Sequence, residues 1–408
     1  MLVKNISFLG HKDHGKSTLI GSLLMQTGSA TQVRINEAKA YSKKLHKAFE
    51  PAFILDSFVE EREQEMTYDT TRAEIKYKNI AFALIDVPGH EELIKNMISG
   101  ASYGEIALLL VSAKSDEGIR DQTKRHLFIS RMLGIDRLVV AVNKMDLVGY
   151  KEERFEEIKN GLSNFIEKIG FEKKNIHFVP ISAYKGENLV KRSTKMKWYK
   201  GNTILEMLYQ MSEGRRPSGK DRLRITVQGR LEGESGEDLI VGKVVKGSVK
   251  LGDEVRMTPY NETSPIGEIV VKGKRVKRAN AGENVALEVL TRGMVKDVRG
   301  SVISGKLDPL IPKDSIKATI FVAHPLGKDL KMRFNGLEVL CNSIKMLKYV
   351  DVTTGTESAK GKAEPLSAVV AELKLSKKIP AERYDQTPEL GRFVLYSGKS
   401  FAGIGIVR

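Results

Sequence analysis

Nine residues narrow what this chain can be: GHKDHGKST, Gly10 to Thr18, stands directly after the apolar run ISFLG and directly before STLIGSLLMQTG, whose apolar residues recur at helical spacing. A glycine-bounded loop that closes a buried strand and opens a helix is G-x-x-x-x-G-K-[ST] in the context that gives the motif its meaning. Gly10 and Gly15 let backbone N–H groups turn inward, and the helix N-terminus adds partial positive charge, so the loop suits phosphate. Lys16 is expected to reach the β- and γ-phosphates of a nucleotide, and the Ser17 hydroxyl to take one Mg²⁺ position. His14 and Thr18 are counted with the same nucleotide-binding loop.

Such a loop needs a parallel sheet to carry it. IAFALIDVPG, IALLLVSA, RLVVAVNK and IHFVPISA have the texture of buried parallel strands, separated by helical patterns such as DQTKRHLFISRMLG. The alternation predicts a doubly wound, mostly parallel α/β sheet with its ligand outside the carboxyl ends of the strands. The remaining motifs fall where these strands end. Asp86 in DVPGH can hold Mg²⁺ through water while the Gly89 N–H meets a γ-phosphate. In NKMD, Asn143 to Asp146, the Asp146 carboxylate can accept both the N1–H and the 2-amino proton of guanine, which adenine cannot supply together. ISA, with Ser182 and Ala183, can offer a backbone N–H to the guanine O6. Each motif alone is weak; in this order, each closing a strand, they point together to a guanine nucleotide.

Beyond TILEMLYQM, the polar segment SEGRRPSGKDR predicts a linker near residues 212 to 221. Short alternating strands follow, as in LRITVQGRL, EDLIVGKVVKG and ENVALEVL, and a second such set runs from IKATIFVAHPLG to FVLYSGKSFAGIGIV. A length of 408 residues allows two or three domains. The expected division is a nucleotide domain over residues 1–213 and two all-β barrels over 214–313 and 314–408.

The chain carries 67 Lys+Arg against 51 Asp+Glu, a net charge of +16, which favours a polyanionic partner such as RNA as much as it suits a solubilising lysine-rich surface. Its single cysteine, Cys341, excludes an intramolecular disulfide framework and suits a reducing cytoplasm. The first motif follows the N-terminus too closely for a cleavable leader, and no apolar run reaches the length of about 18 residues that a membrane span needs. The expectation is a soluble, cytoplasmic protein with no membrane partner. Trp198 in MKWYKG reads as a packing anchor and Cys341 as a small buried apolar residue, and the histidines show no metal-ligand spacing.

With these motifs in place, the chain resembles translational GTPases of the elongation factor Tu and elongation factor 1-alpha family over nearly its whole length. GHKDHGKST is similar to the family's phosphate loop, DVPGHEELIKNMISGAS to its second switch, and VNKMD with ISAYKGENL to its guanine-recognition loops. AGENVALEVLTRG resembles its second domain and PELGRFVLYSGKSFAGIGIV the close of its third. The resemblance implies a GTP-hydrolysing switch with GTP or GDP and Mg²⁺ as cofactors. It makes EREQEMTYD the first switch, with Thr67 as the third metal position, His90 the water-positioning residue and Asp13 a helper on the phosphate side.

In the family the catalytic histidine is hemmed in by two apolar residues, and the matching positions here are Lys12 and Met66. Glu65 stands where a glycine is usual and can pair with Lys12. Either His90 is held by a charged gate or Lys12 points to solvent. The lysine-rich stretch RINEAKAYSKKLHKAFE resembles the helical insertion of the 1-alpha branch and reads as a solvated helix.

Three partner classes remain open under this resemblance. The first is a carrier that delivers an aminoacyl-tRNA or tRNA-like partner to the ribosome, favoured by the basic balance, the three-domain length, Asn284 in AGENV and the closing LGRF. The second is the GTPase subunit of sulfate adenylyltransferase with its partner subunit, which DQTKRHLFISRMLGIDRLVVAVNKMDLVGY resembles, although that branch usually carries Asp where His14 stands. The third is a ribosome-rescue or termination GTPase with a tRNA-shaped protein partner. The amino-acid pocket segment is not recognisable in the first barrel, which implies a specialised paralogue.

Overall fold

A computed structural model describes residues 2–44, 46, 48–54, 72–86, 106–213, 222–233, 238–289, 298–327 and 329–408. The chain divides into two compact units, residues 1–214 with 352–355, and residues 215–351 with 356–408.

The first unit is built on strands β1 (Leu2–Leu9), β2 (Arg72–Tyr77), β3 (Ile80–Asp86), β4 (Ile106–Ser112), β5 (Arg137–Asn143) and β6 (Ile176–Pro180), in the order β2-β3-β1-β4-β5-β6. All neighbours are parallel except β2 and β3. The apolar runs become the parallel strands because a sheet covered on both faces needs no polar alternation; β4 is buried along its whole length. β2 is an addition to the sequence reading. Its R-A-E-I-K-Y alternation buries Ala73 and Ile75 while Glu74 and Lys76 face solvent, the pattern of a half-covered edge.

The helices that accompany the sheet include α1 (Lys16–Gln26), α2 (Gln32–Lys44), α3 (Asp121–Met132), α4 (Glu152–Lys168) and α5 (Ile204–Ser212). α1 buries Leu19, Ile20, Leu23 and Leu24 in one cluster with Phe8, Phe82, Leu108 and Val139. Each such side chain contributes roughly 1.5–3 kcal/mol of burial, which holds the loop preceding α1 to the sheet. In α2 only Ala38 and Ser42 are buried, in keeping with a solvated helix. α5 starts on a capping box in which Thr203 and Glu206 satisfy each other's backbone N–H groups. Trp198 donates from Nε1 to the Tyr150 carbonyl at 2.9 Å and lies against Phe155 and Tyr199, as expected of an anchor.

The second unit holds two closed antiparallel barrels. In the first, strands Glu254–Thr258, Val302–Gly305, Arg224–Glu232, Asp238–Lys246, Asn284–Val289 and Glu262–Val271 neighbour one another in that order, and the first pairs with the last. In the second the order is Leu330–Phe334, Arg392–Ser397, Ser400–Val407, Lys313–Val322, Ser367–Ile379 and Leu337–Val350, again closed first to last. Closure removes the exposed edges that an open sheet of alternating strands would present.

Between the barrels, Arg224 is 2% exposed and its guanidinium lies 2.6 Å from Glu382 and 3.0 Å from Asp308. Burial pushes the Glu382 carboxyl up, but hydrogen bonds from Arg224 and Thr387 outweigh it and hold the group below its ordinary value. Cys341 is buried among apolar residues of the second barrel, and burial pushes its thiol up to about 11, so it is not a reactive thiolate at neutral pH. Among the described residues no helix is long and apolar enough to cross a membrane, and no group of acidic, histidine and cysteine side chains could hold a metal ion by itself.

Candidate nucleotide site

The strand order turns back at β1, which has β3 on one side and β4 on the other. In open α/β sheets the crevice at such a point is where ligands bind. The phosphate loop leaves β1 there. Gly10 has a φ of +134°, and a Cβ on it would lie 2.6 Å from the Leu110 carbonyl oxygen. Gly15 has a φ of +91°, and its Cβ would lie 2.6 Å from the Asn143 amide nitrogen. Both positions therefore exclude side chains for two reasons, backbone conformation and close approach.

The N-cap of α1 is Gly15, which has no side chain to bond the first-turn N–H groups that a phosphate would take. Lys16 is 8% exposed and curls back over its own loop, donating from Nζ to the carbonyls of Gly10 at 3.1 Å and His11 at 3.3 Å. Its ammonium is thus already held above the loop. Ser17 and Thr18 follow, both half-buried. Asp13 is exposed and lies 3.5 Å from the His11 ring. His14 is 1% exposed and its Nδ1 is 3.0 Å from the Leu110 carbonyl, a contact only a protonated Nδ1 can make. Burial, opposed by that carbonyl bond, lowers the His14 pKa below its ordinary value.

β5 delivers the second group of residues. Asn143, 2% exposed at the strand's end, donates from Nδ2 to the His14 carbonyl at 2.8 Å and accepts the Ala183 N–H on Oδ1 at 2.9 Å. One amide therefore ties the phosphate loop after β1 to the loop after β6. Lys144 takes a left-handed conformation, φ 65° and ψ 30°, and its ammonium is 2.6 Å from Glu117. Asp146 is half-buried in the following turn, where its charge, after burial, helps raise the Tyr150 pKa.

Ser182 is fully buried and forms a two-way bridge with Glu187, while its hydroxyl accepts the Lys185 N–H at 3.1 Å. In this structure the Ser182 N–H is donated to Glu187 and the Ala183 N–H to Asn143. A purine O6 at Ala183 would therefore share that N–H with Asn143.

Gly10, His14, Lys16, Asn143 and Ala183 are thus brought together by direct contacts. Thr67, Met66 and Glu65 of the first switch, and Gly89 and His90 of the second, lie outside the described residues, as do the side chains of Lys12 and Asp86. The backbone of Asp86 pairs in register with Phe8, so the carboxylate position and the phosphate loop leave adjacent strands at the same end of the sheet. The three residues expected at the metal, Ser17, Thr67 and Asp86, are two hydroxyls and a carboxylate by type, the hard-oxygen chemistry that suits Mg²⁺.

Three contributors were absent from the sequence reading. The Ser22 hydroxyl donates to the Ala183 carbonyl at 2.5 Å and Gln26 donates to the Gly186 carbonyl at 3.1 Å, tethering α1 to the loop after β6. Glu117 is the third. None carries a local signal, because each acts on a residue distant in sequence. A shallow groove of about 360 Å³ at the β6 edge is lined by Phe155, Phe178, Trp198 and Tyr199 and by none of the motif residues.

Comparison with known proteins gives the chain's relatives. A family model described as "Elongation factor Tu GTP binding domain" matches residues 1–213, and one described as "GTP-eEF1A C-terminal domain-like" matches residues 316–408. Elongation factor 1-alpha of Sulfurisphaera tokodaii is 35% identical over 421 residues, covering 99% of this chain and 96% of that protein. The same factor of Saccharolobus solfataricus is 35% identical over 420 residues, with the same shares covered. A solved structure of sup35 complexed with GDP overlays at a TM-score of 0.44 and 27% identity, covering 100% of this chain and 93% of that one.

Proposed function

The chain belongs to the elongation factor Tu and elongation factor 1-alpha family of translational GTPases, and from that premise we propose that it carries an aminoacyl-tRNA to the ribosome in its GTP form and releases it after hydrolysis. That it binds guanine nucleotide and hydrolyses GTP follows from the family. The delivery role rests on one observation: the likeness to elongation factor 1-alpha is not confined to the nucleotide domain but runs across 99% of the chain, both barrels included. The net charge of +16 fits an RNA cargo, and the cytoplasm is the compartment in which that cargo is met.

Within this reading the residues divide by task. Lys16 and the N–H groups of the loop hold the phosphates, while Asn143, Lys144, Asp146 and the Ser182–Ala183 loop hold guanine. Ser17, Thr67 and Asp86 would hold Mg²⁺, which when bound neutralises charge on the β- and γ-phosphates. His90 is the residue assigned to orient the attacking water, with Asp13 a helper on the phosphate side; Lys12 and Met66 occupy the two gate positions, and Lys12 either closes a charged gate or faces solvent. Loss of the γ-phosphate is expected to switch the protein out of its cargo-binding form.

The test is retention of aminoacylated and deacylated tRNA by the purified protein, with a non-hydrolysable GTP analogue and with GDP. Binding that needs both the triphosphate and the aminoacyl group establishes the carrier. Equal or absent binding in the two nucleotide states overturns it and moves the assignment to a protein partner, a tRNA-shaped factor or a sulfate adenylyltransferase subunit.

A further inference from the structure

Lys144 is held by a contact that neither its own motif nor its backbone requires. Its backbone is left-handed, φ 65°, a conformation that non-glycine residues seldom adopt, so the lysine stands in a fixed place for a reason. Its ammonium is 2.6 Å from Glu117 Oε2, and the two side chains are only 23% and 19% exposed. Glu117 belongs to the turn between β4 and α3. It is anchored from below by the hydroxyl of Ser112, the buried last residue of β4, which pairs in register with Asn143. Lys114, 3.7 Å from Glu117, is itself engaged by Asp116 at 2.9 Å. Burial pushes the Glu117 carboxyl up, but the bonds from Lys144 and Ser112 prevail and keep it ionised well below neutral pH.

The sheet order gives this contact a direction. β4 and β6 flank β5 on opposite sides. Asn143 reaches toward Ala183 after β6, whereas the Lys144 ammonium reaches toward the turn after β4. We propose that Glu117 is a positioning residue for the guanine base: it pins the Lys144 ammonium on the β4 side, so that the lysine's four-carbon stem stands ready as an apolar ledge for the purine face. A free lysine would lose its rotamer freedom each time a base bound, whereas a pinned one has lost it beforehand. The inference rests on the assignment of Asn143 to Asp146 as the base-recognition loop.

Ordering one such side chain costs about 0.5–1.5 kcal/mol, so Glu117→Gln is expected to release GDP about fivefold faster. The KM for GTP rises while turnover at saturating GTP is held, and Glu117→Asp recovers part of the loss. Lys144→Met keeps an unbranched apolar stem without an ammonium, so adding Glu117→Gln to it has no further effect. The readout is displacement of a fluorescent GDP by excess unlabelled GDP. An unchanged release rate in Glu117→Gln overturns the proposal, and so does a full fivefold effect in the Lys144→Met background, because Glu117 would then act through something else. Asp146→Asn is the control for the premise. If it fails to exchange guanine for xanthine preference, the base-loop assignment falls. If it does exchange them while Glu117→Gln is silent, only the role of Glu117 falls.

Discussion

Asn143→Asp changes one atom type at the join of the phosphate and base loops and leaves the shape intact. The Ala183 N–H keeps its acceptor. The His14 carbonyl, 2.8 Å from the amide nitrogen in the parent, instead faces a carboxylate oxygen. Asn143 is 2% exposed and His14 1% exposed, so water relieves little of the repulsion. An unsatisfied buried carbonyl costs about 1–3 kcal/mol, and confining an unpaired carboxylate beside it adds to that. A loss of about 3 kcal/mol in the nucleotide domain lowers its Tm by roughly 6–12 °C at this size.

The assay is thermal unfolding of the nucleotide-free protein, with GDP affinity measured in parallel. Asn143→Ala, which loses both bonds, should fall as far. The aspartate variant carries its own signature, because burial raises its folded-state pKa above the unfolded value. Its deficit against the parent should therefore shrink as pH falls toward about 5, where the protonated carboxyl can donate to the His14 carbonyl. An Asn143→Asp protein that melts with the parent at neutral pH, or whose deficit ignores pH, would refute the reasoning.

Other outcomes follow from the same structure. Arg224→Met leaves Glu382 buried without its cation and should destabilise the barrel unit by about 3–5 kcal/mol in urea unfolding; because the Glu382 pKa is depressed, the parent's share of that stability is present above the ordinary carboxylate range and lost as pH falls through the folded value. His14 and His177 both have pKa values lowered, chiefly by burial, so the unfolded chain binds more protons and stability should fall as pH drops below about 6.5. His14→Asn, which keeps a donor and does not titrate, should flatten part of that slope. His90→Ala should bind GTP with parental affinity and hydrolyse it at least about a hundredfold more slowly, a positioned acid–base group being worth about 10²–10⁴; undiminished single turnover removes His90 from the mechanism.

The parts of the fold legible in the sequence are those whose physics is local. β1, β4 and β5 appear as apolar runs because both faces of a parallel strand are covered, and the loop before α1 appears because its glycines and lysine have fixed spacing. β2 was hidden because six alternating residues at a sheet edge carry little hydrophobic signal, although the burial of Ala73 and Ile75 shows the period was there. Asn143 could be assigned to the base loop from NKMD, but not its bond to the His14 carbonyl, since nothing local to either residue records the other. Glu117 and Ser22 were invisible for the same reason: an acid in a polar turn and a serine in a helix reveal nothing until the topology sets them against Lys144 and Ala183. The alternating strands and their turns were enough to expect two barrels. Which strands pair was not readable, because the order in each barrel depends on the turns between its strands.

Retention of aminoacyl-tRNA by the Asp146→Asn protein tests the central claim most directly, because it asks whether the site at the carboxyl ends of these strands governs the cargo. Xanthine restores the hydrogen bond that the asparagine cannot make with guanine. The account predicts that a non-hydrolysable xanthosine triphosphate supports aminoacyl-tRNA binding to this variant while the guanosine analogue at the same concentration does not, the reverse of the parent. Cargo binding that follows the guanosine analogue in both proteins, or that ignores the nucleotide altogether, would contradict it.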